Sequence, residues 1–356
     1  PVGEQEVDFI YEYLNLLVER PEIARAMGER ARRWVLENCS WDRVACQYAG
    51  FLEAVAQGRE WSPPAPQPAP SAPLPAPETP LTEIATEPPE HPWAGYILGY
   101  ASASQEQLGY VRTHLTRLVH TLEITPPGTA ADRILEMGAY MHITPALQNL
   151  LGYGEVRGSY LGPLGRVDRR EARSSSGEVF SCFIDCFDAE KDPFPYPDGH
   201  FSTVLCCELL EHLYHDPMHM MSEINRILRP GGALVLTTPN ICSLRAINAI
   251  LLTYHPGFFH QYIRPEPDGE IAPRHNREYA PRDVQLLLEQ AGFAVALLET
   301  APYLVEPSAA NEWVLHLLDR YGLSKDFRDE GIYAVGKKVS GVKCRYPEGL
   351  YTGDGP

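Results

Sequence analysis

Residues Pro193 to Asn240 read PFPYPDGHFSTVLCCELLEHLYHDPMHMMSEINRILRPGGALVLTTPN, and the fold turns on this stretch. Pro197-Asp198-Gly199 is a turn signal, and Thr203–Cys207 behind it is an apolar run of strand length. Met218–Leu228 places Met221, Ile224, Ile227 and Leu228 on one helical face, and Pro230-Gly231-Gly232 stops that helix. Ala233–Thr238 is a second apolar strand, ended by Pro239-Asn240. Two buried strands joined by a helix predict a right-handed βαβ unit of a parallel sheet. Ligands bind such sheets at the carboxyl ends of the strands. Here those ends carry Glu208, Glu211, His212 and Asn240, the layout of a cofactor-using enzyme.

Composition narrows the field. With 356 residues, the chain is long enough for two domains and a sizeable core. The formal charge of −17, with no basic cluster, argues against binding a phosphate backbone, so no nucleic-acid partner is expected. Eight cysteines occur without a Cys-x-x-Cys pair, and no Asp/Glu/His set has metal-ligand spacing; no metal is expected. Cys206 and Cys207 sit in an apolar strand, where reduced cysteine acts as a small hydrophobe, and this favours a reducing cytoplasm. No apolar run reaches the roughly 18–20 residues that span a bilayer, and there is no signal peptide. Pro1 begins inside a helical pattern, as expected of part of a longer polypeptide.

The chain divides into segments 1–60, 61–92, 93–340 and 341–356. The first is helical: Val7, Ile10, Tyr11, Leu14 and Leu17 repeat at helix spacing, Pro21 opens a further helix, and Ser40 is a candidate N-cap for Trp41–Val55. Ser62–Pro92 carries twelve prolines among Ala, Ser, Thr and Glu and reads as an extended linker. Beyond it, Ser104–Leu122 reads as an amphipathic helix and Arg133–Met137 as the first strand of a sheet. Val156–Gly158 and Val179–Phe183 are weaker candidates for strands two and three.

Glu208-Leu209-Leu210-Glu211-His212-Leu213, followed by Arg226-Ile227-Leu228-Arg229-Pro230-Gly231-Gly232, resembles the second half of a class I S-adenosylmethionine-dependent methyltransferase. His275, Tyr279 and the run Leu286 to Phe293 resemble that family's last helix and its turn into the next strand, so the resemblance extends from about Leu98 to Lys338. It implies an α/β fold, a Rossmann-like doubly wound, mostly parallel seven-stranded sheet, with the N-terminal helices attached through the Pro-rich linker. The cofactor implied is S-adenosyl-L-methionine. Separately, Arg20-Pro21-Glu22, Gly28, Ala31-Arg32 and Cys39-Ser40-Trp41 resemble the C-terminal tail of two-lobed nucleotide-sugar glycosyltransferases, which carries no donor-binding residue. A generic helical hairpin is the other reading of those helices.

The methyltransferase resemblance implies a set of site residues. The loop Glu136-Met137-Gly138-Ala139-Tyr140-Met141-His142 takes the place of the glycine-rich cofactor loop, with Glu136 and Gly138 matching its acidic residue and first glycine. Tyr140 and His142 stand where further glycines are usual. Ser159 and Tyr160 stand where a carboxylate usually holds the ribose, and Ser202 where an Asp usually caps a strand. Asp188-Ala189 matches the acidic element facing the adenine amino group, and Cys207 and Glu208 close the list of cofactor-side candidates.

Methyl transfer to a hydroxyl requires alignment and a place for the proton. The candidate bases are His212 and His275 first, then His142, His255 and His260. Ile241–Arg274, where the family places acceptor-binding insertions, is rich in aromatics and histidines that suit a sugar ring or another flat acceptor. The expected activity is O-methylation of a glycan hydroxyl or related small acceptor. The competing reading is a catalytically silent methyltransferase-like module that binds a glycan or a partner protein, favoured by Tyr140, His142 and Tyr160.

Overall fold

The computed structural model describes residues 14, 17–18, 20–38, 41–61, 91–101, 105–258, 260–262, 274–303 and 311–352. Most of the Pro-rich linker, most of the first N-terminal helix, Cys39-Ser40 and part of the Ile241–Arg274 stretch lie outside them. The chain forms two compact units, Pro1–Glu83 and Ile84–Pro356. In the first, helices α1 (Pro21–Asn38) and α2 (Trp41–Ala56) are followed by Trp61, whose ring meets Phe51 edge-on at 5.5 Å.

The second unit holds an eight-stranded sheet. Its elements in chain order are α3 (Pro92–Ala101), α4 (Gln105–Ile124), β1 (Arg133–Met137), α5 (Thr144–Asn149), β2 (Glu155–Tyr160), β3 (Val167–Arg173), β4 (Val179–Cys186) and β5 (Phe201–Cys207). They continue with α6 (Pro217–Ile227), β6 (Leu228–Pro239), α7 (Leu244–Leu251), α8 (Pro281–Gln290), β7 (Phe293–Ala301), α9 (Glu312–Arg320) and β8 (Gly331–Lys338). The order across the sheet is β3-β4-β2-β1-β5-β6-β8-β7. Strands β4, β2, β1, β5 and β6 run parallel, while β3, β8 and β7 pair antiparallel with their neighbours.

The central strands alternate between two cores, which is why they read as unbroken apolar runs. Val204 and Cys206 of β5 and Leu234 and Leu236 of β6 face a core closed by Met218, Met221, Ile224 and Ile227 of α6 with Val284, Leu287 and Leu288 of α8. Leu205 and Val235 face the other core, closed by Val111, Leu115, Leu118 and Leu122 of α4 and by α3 and α5. The sheet is therefore doubly wound. Helix α6 starts on Asp216, whose side chain accepts from the His219 N–H.

The seven-stranded sheet implied by the resemblance has an eighth strand here, β3, and the expectation of seven is corrected. Its sequence, VDRREAR, has no apolar run, and its residues alternate between exposed and partly buried. A charged strand survives here because it sits at the edge, paired on one side with β4 through the Ser174–Glu178 turn. Strands β2 and β4 also run further than their apolar centres suggested, to Tyr160 and Cys186, because parallel pairing continues past the hydrophobic stretch. Ser202, read as a substitute strand cap, donates to the Arg133 carbonyl at 2.8 Å.

Candidate functional site

The loop after β1 turns at Gly138, where φ is +66° and an added side chain would meet nothing closer than Leu209 Cδ1 at 3.7 Å. The loop then presses onto β2: the Ala139 N–H donates to the Ser159 carbonyl at 3.1 Å. Gly158 makes that approach possible, since a methyl on it would lie 2.7 Å from Ala139 Cβ and 2.3 Å from Ile184 Cδ1. Glu136, at the end of β1, is 7% exposed, and its Oε2 has no hydrogen-bond partner. Burial pushes its carboxyl up to about 7.

Tyr140 and His142 project from this loop with their rings stacked at 6.0 Å, and His142 stacks in turn on Tyr110 of α4 at 5.2 Å. The Tyr140 and Tyr160 hydroxyls meet at 3.3 Å, and Arg170 of the extra strand lies over the Tyr160 ring at 5.0 Å. The residue that the resemblance sets against a ribose carboxylate is thus an aromatic ring backed by a guanidinium. Asp188 accepts from the Glu190 N–H at 2.9 Å and from Lys191 at 3.0 Å. Burial would raise its pKa, but those bonds outweigh it and hold the carboxylate below its ordinary range. Ala189 beside it packs against the α6 core.

At the end of β5 the Cys207 thiol is pushed up to about 12, first by burial, and serves as packing. Glu208 follows with φ +51°, an unusual conformation for a residue with a side chain. Its carboxylate is held from three sides, by Arg117 of α4 at 2.5 Å, Thr237 of β6 at 3.0 Å and the Tyr303 hydroxyl at 3.1 Å. Glu208 therefore spends its charge on the protein. Arg117 also donates to the Tyr110 hydroxyl at 3.0 Å and lies 5.4 Å from the centre of the Tyr303 ring.

The two leading histidine candidates come together. Their rings meet edge-on at 5.0 Å. Both face Glu211, which is wholly buried in the 3₁₀ turn Leu210–His212. One Glu211 oxygen accepts from Thr238 at 2.9 Å. The other, Oε1, has no hydrogen-bond partner and lies 4.0 Å from His212 Nε2 and 3.9 Å from His275 Nε2. Burial and then the Glu208 charge raise the Glu211 carboxyl well above its usual range, while burial lowers His212. His212 Nδ1 pairs with the Arg274 carbonyl at 3.0 Å, and His275 Nδ1 with Glu278 at 3.1 Å. The Asn276 N–H donates to the Glu211 carbonyl at 2.7 Å and ties the His275 segment to the turn.

The remaining histidine candidates contribute no atom to the Glu211–His212–His275 group. His142 belongs to the aromatic stack on the loop, and His255 and His260 stack on each other at 4.5 Å. Phe258 packs beneath Arg245, 3.6 Å from guanidinium to ring centre, while Tyr262 is exposed. Sequence reading passed over Arg117, Tyr303 and Glu278. A lone Arg on a helix and a Glu in a loop ordinarily read as solvated charges, and only burial against their partners marks these as part of the site.

The arrangement fits S-adenosylmethionine at two places. An open left-handed glycine and an orphaned buried carboxylate oxygen lie at the first loop, and an acidic turn follows β4. At the end of β2, where the resemblance implies a carboxylate for the ribose, stands Tyr160.

The Methyltransferase domain family matches residues 165–236. A protein of Mycolicibacterium smegmatis named as a probable S-adenosylmethionine-dependent methyltransferase is 34% identical over 101 residues, covering 28% of this chain and 32% of its own length. The 27-O-demethylrifamycin SV methyltransferase of Amycolatopsis mediterranei is 30% identical over 121 residues, 34% of this chain and 43% of its own. A methyltransferase structure from Mesorhizobium loti aligns over 62% of this chain and 96% of its own, with 14% identity and a TM-score of 0.39. The chain thus spans less than half the length of the two named relatives. Among the described residues no helix is long and apolar enough to cross a membrane. Strand-end motifs, matched segment and relatives together make the sheet-bearing unit similar to S-adenosylmethionine-dependent methyltransferases, and that likeness implies S-adenosyl-L-methionine as its cofactor.

Proposed function

We propose that this protein transfers a methyl group to a hydroxyl of a small-molecule or glycan acceptor, activated at the Glu211–His212–His275 cluster. The observation that carries the reading is the convergence of two imidazoles and a buried carboxylate just beyond the carboxyl end of β5. When bound, S-adenosylmethionine supplies a methyl group on a sulfonium that is already activated for in-line displacement. The protein's share is alignment and handling of one proton. Gly138 and Ala139 admit the cofactor's amino-acid end, Glu136 offers its free oxygen there, and Asp188 faces the adenine end. His212, partly exposed and oriented by the Arg274 carbonyl, presents the cluster to the acceptor.

An oxygen acceptor is supported by the printed name of the rifamycin relative, and a ring-shaped one by Tyr254, His255, His260 and exposed Tyr262 in the stretch before α8. The glycan version also draws on the N-terminal resemblance to a glycosyltransferase tail, and a reducing, cytoplasmic setting on the free described cysteines. Calorimetric titration of the full chain with S-adenosylmethionine and S-adenosylhomocysteine tests the reading. Micromolar binding of both supports it, and binding of neither by the folded protein overturns it.

The second reading, a silent module, is favoured by one feature. The Tyr140–His142–Tyr110 stack fills the side of the loop where glycines usually leave room. Retention of cofactor through purification would count against it.

A further inference from the structure

We propose that Glu211, His212 and His275 form a binding site for one divalent transition-metal ion, through Glu211 Oε1 and the two histidine Nε2 atoms. The ligand atoms of these three residues all lie within 4.8 Å of one another. His275 stands far from the other two in sequence, which is why no metal-ligand spacing was visible there.

The hydrogen bonds decide which nitrogen carries the proton. The Arg274 carbonyl can only accept, so His212 Nδ1 must donate to it. Glu278 Oε1 already accepts from the Phe258 N–H, and it acts as acceptor toward His275 Nδ1 as well. With the ring proton on Nδ1, Nε2 is the coordinating atom of each imidazole, and the two lie 4.0 and 3.9 Å from Glu211 Oε1. Three lone-pair donors converge in a place where one of them, Oε1, is wholly buried and has no hydrogen-bond partner. A buried carboxyl oxygen facing two lone pairs is held there by a proton or by a metal cation between them, and the three converging atoms offer a metal ion a ready ligand set.

The outer contacts are those of a metal site. Metal-bound histidine ordinarily donates its second ring N–H to a carbonyl or a carboxylate, and both arrangements are present. Thr238 holds the other Glu211 oxygen and so aims Oε1. Two nitrogens and one oxygen suit Zn²⁺, Co²⁺ or Fe²⁺ better than the all-oxygen preference of Mg²⁺. Ligands about 2.1 Å from an ion stand roughly 3–3.5 Å apart. The 3.9 and 4.0 Å separations therefore close by about half an ångström or more on binding. Three protein ligands leave positions open for an acceptor hydroxyl or water. With an ion in place, the cluster activates the hydroxyl by polarising it rather than through a free imidazole. This consequence rests on the methyltransferase reading, but the site itself does not.

The test uses the metal-stripped 356-residue chain titrated with Co²⁺, read by its visible absorption, and with Zn²⁺ by competition. The expected result is one equivalent bound, with at least tenfold weaker binding in Glu211→Gln and in His212→Ala. Because His212 is partly exposed, its variant remains informative if Glu211→Gln does not fold. Absence of saturable uptake of either ion overturns the proposal, as does uptake that is unchanged in His212→Ala. Neither cofactor nor acceptor is present in the assay, so its failure would leave the methyltransferase reading standing, and loss of cofactor binding would leave the metal site standing.

Discussion

Arg117 of α4 and Glu208 at the end of β5 form a buried ion pair, Nη1 to Oε2 at 2.5 Å, with the guanidinium side chain 7% exposed. The pair joins a helix from the start of the domain to the strand end that carries the cofactor-side motif. Removing one partner of such a pair strands the other's charge in a low-dielectric site, which costs about 3–5 kcal/mol. Glu208→Gln is expected to lower unfolding free energy by that amount in denaturant titration. Arg117→Met together with Glu208→Gln should recover much of it. A loss below about 1 kcal/mol in the single variant would show that water reaches the pair.

Glu136 gives the protein a pH-dependent stability. Its folded pKa of about 7 lies above the ordinary carboxyl value, so the folded state favours the protonated form. The stabilisation is complete below about pH 4.5 and is lost as pH rises to about 7, up to about 3 kcal/mol in all. Glu136→Gln should flatten this part of the stability profile and be the more stable protein at pH 8. Parallel profiles for variant and parent would mean that Glu136 titrates alike in the folded and unfolded chain.

Asp188 is expected to serve the adenine end of the cofactor. Asp188→Asn keeps an acceptor for the Glu190 N–H but loses the charge, and should weaken S-adenosylhomocysteine binding by about 1–3 kcal/mol in calorimetry. Equal affinities would place the adenine elsewhere.

His212→Ala should lower turnover about 10²–10⁴-fold on an accepted hydroxyl substrate while cofactor affinity stays near the parent's. The same loss is expected of His275→Ala, whereas His255→Ala and His260→Ala should stay within a few-fold, since those rings stack on each other outside the cluster. Turnover retained in both His212→Ala and His275→Ala would leave alignment alone as the source of catalysis.

Cleavage between residues 62 and 90 should release a C-terminal fragment that keeps full cofactor affinity. The cut must precede Pro92, because Ala94, Ile97, Tyr100 and Ala101 of α3 are buried in the second unit's core. A fragment that is folded but unable to bind would show that the N-terminal helices contribute to the site.

The sequence alone determined the framework around β5, α6 and β6, because those elements are set by local periodicity. An apolar run makes a strand buried on both faces, a 3.6-residue repeat makes a helix with one buried face, and Pro-Gly-Gly interrupts it. The strand-end motif Glu208–Leu213 and the first loop at Gly138 were legible through their resemblance to a known family's motifs. Polar residues were not, because a charged side chain reads identically whether solvated or paired. Strand β3 escaped notice because its stability comes from pairing with β4 rather than from its own hydrophobicity. Arg345 and Tyr351, near the end of the described chain, return to Asp216 at the start of α6, a contact no local pattern encodes. Most of all, Glu208 and Glu211 look alike in sequence, three residues apart on one turn. Tertiary packing neutralises the first with Arg117 and leaves the second buried with one oxygen facing two imidazoles. Which carboxylate is paired and which keeps an oxygen without a hydrogen bond was decided by the charges that the fold brought to each.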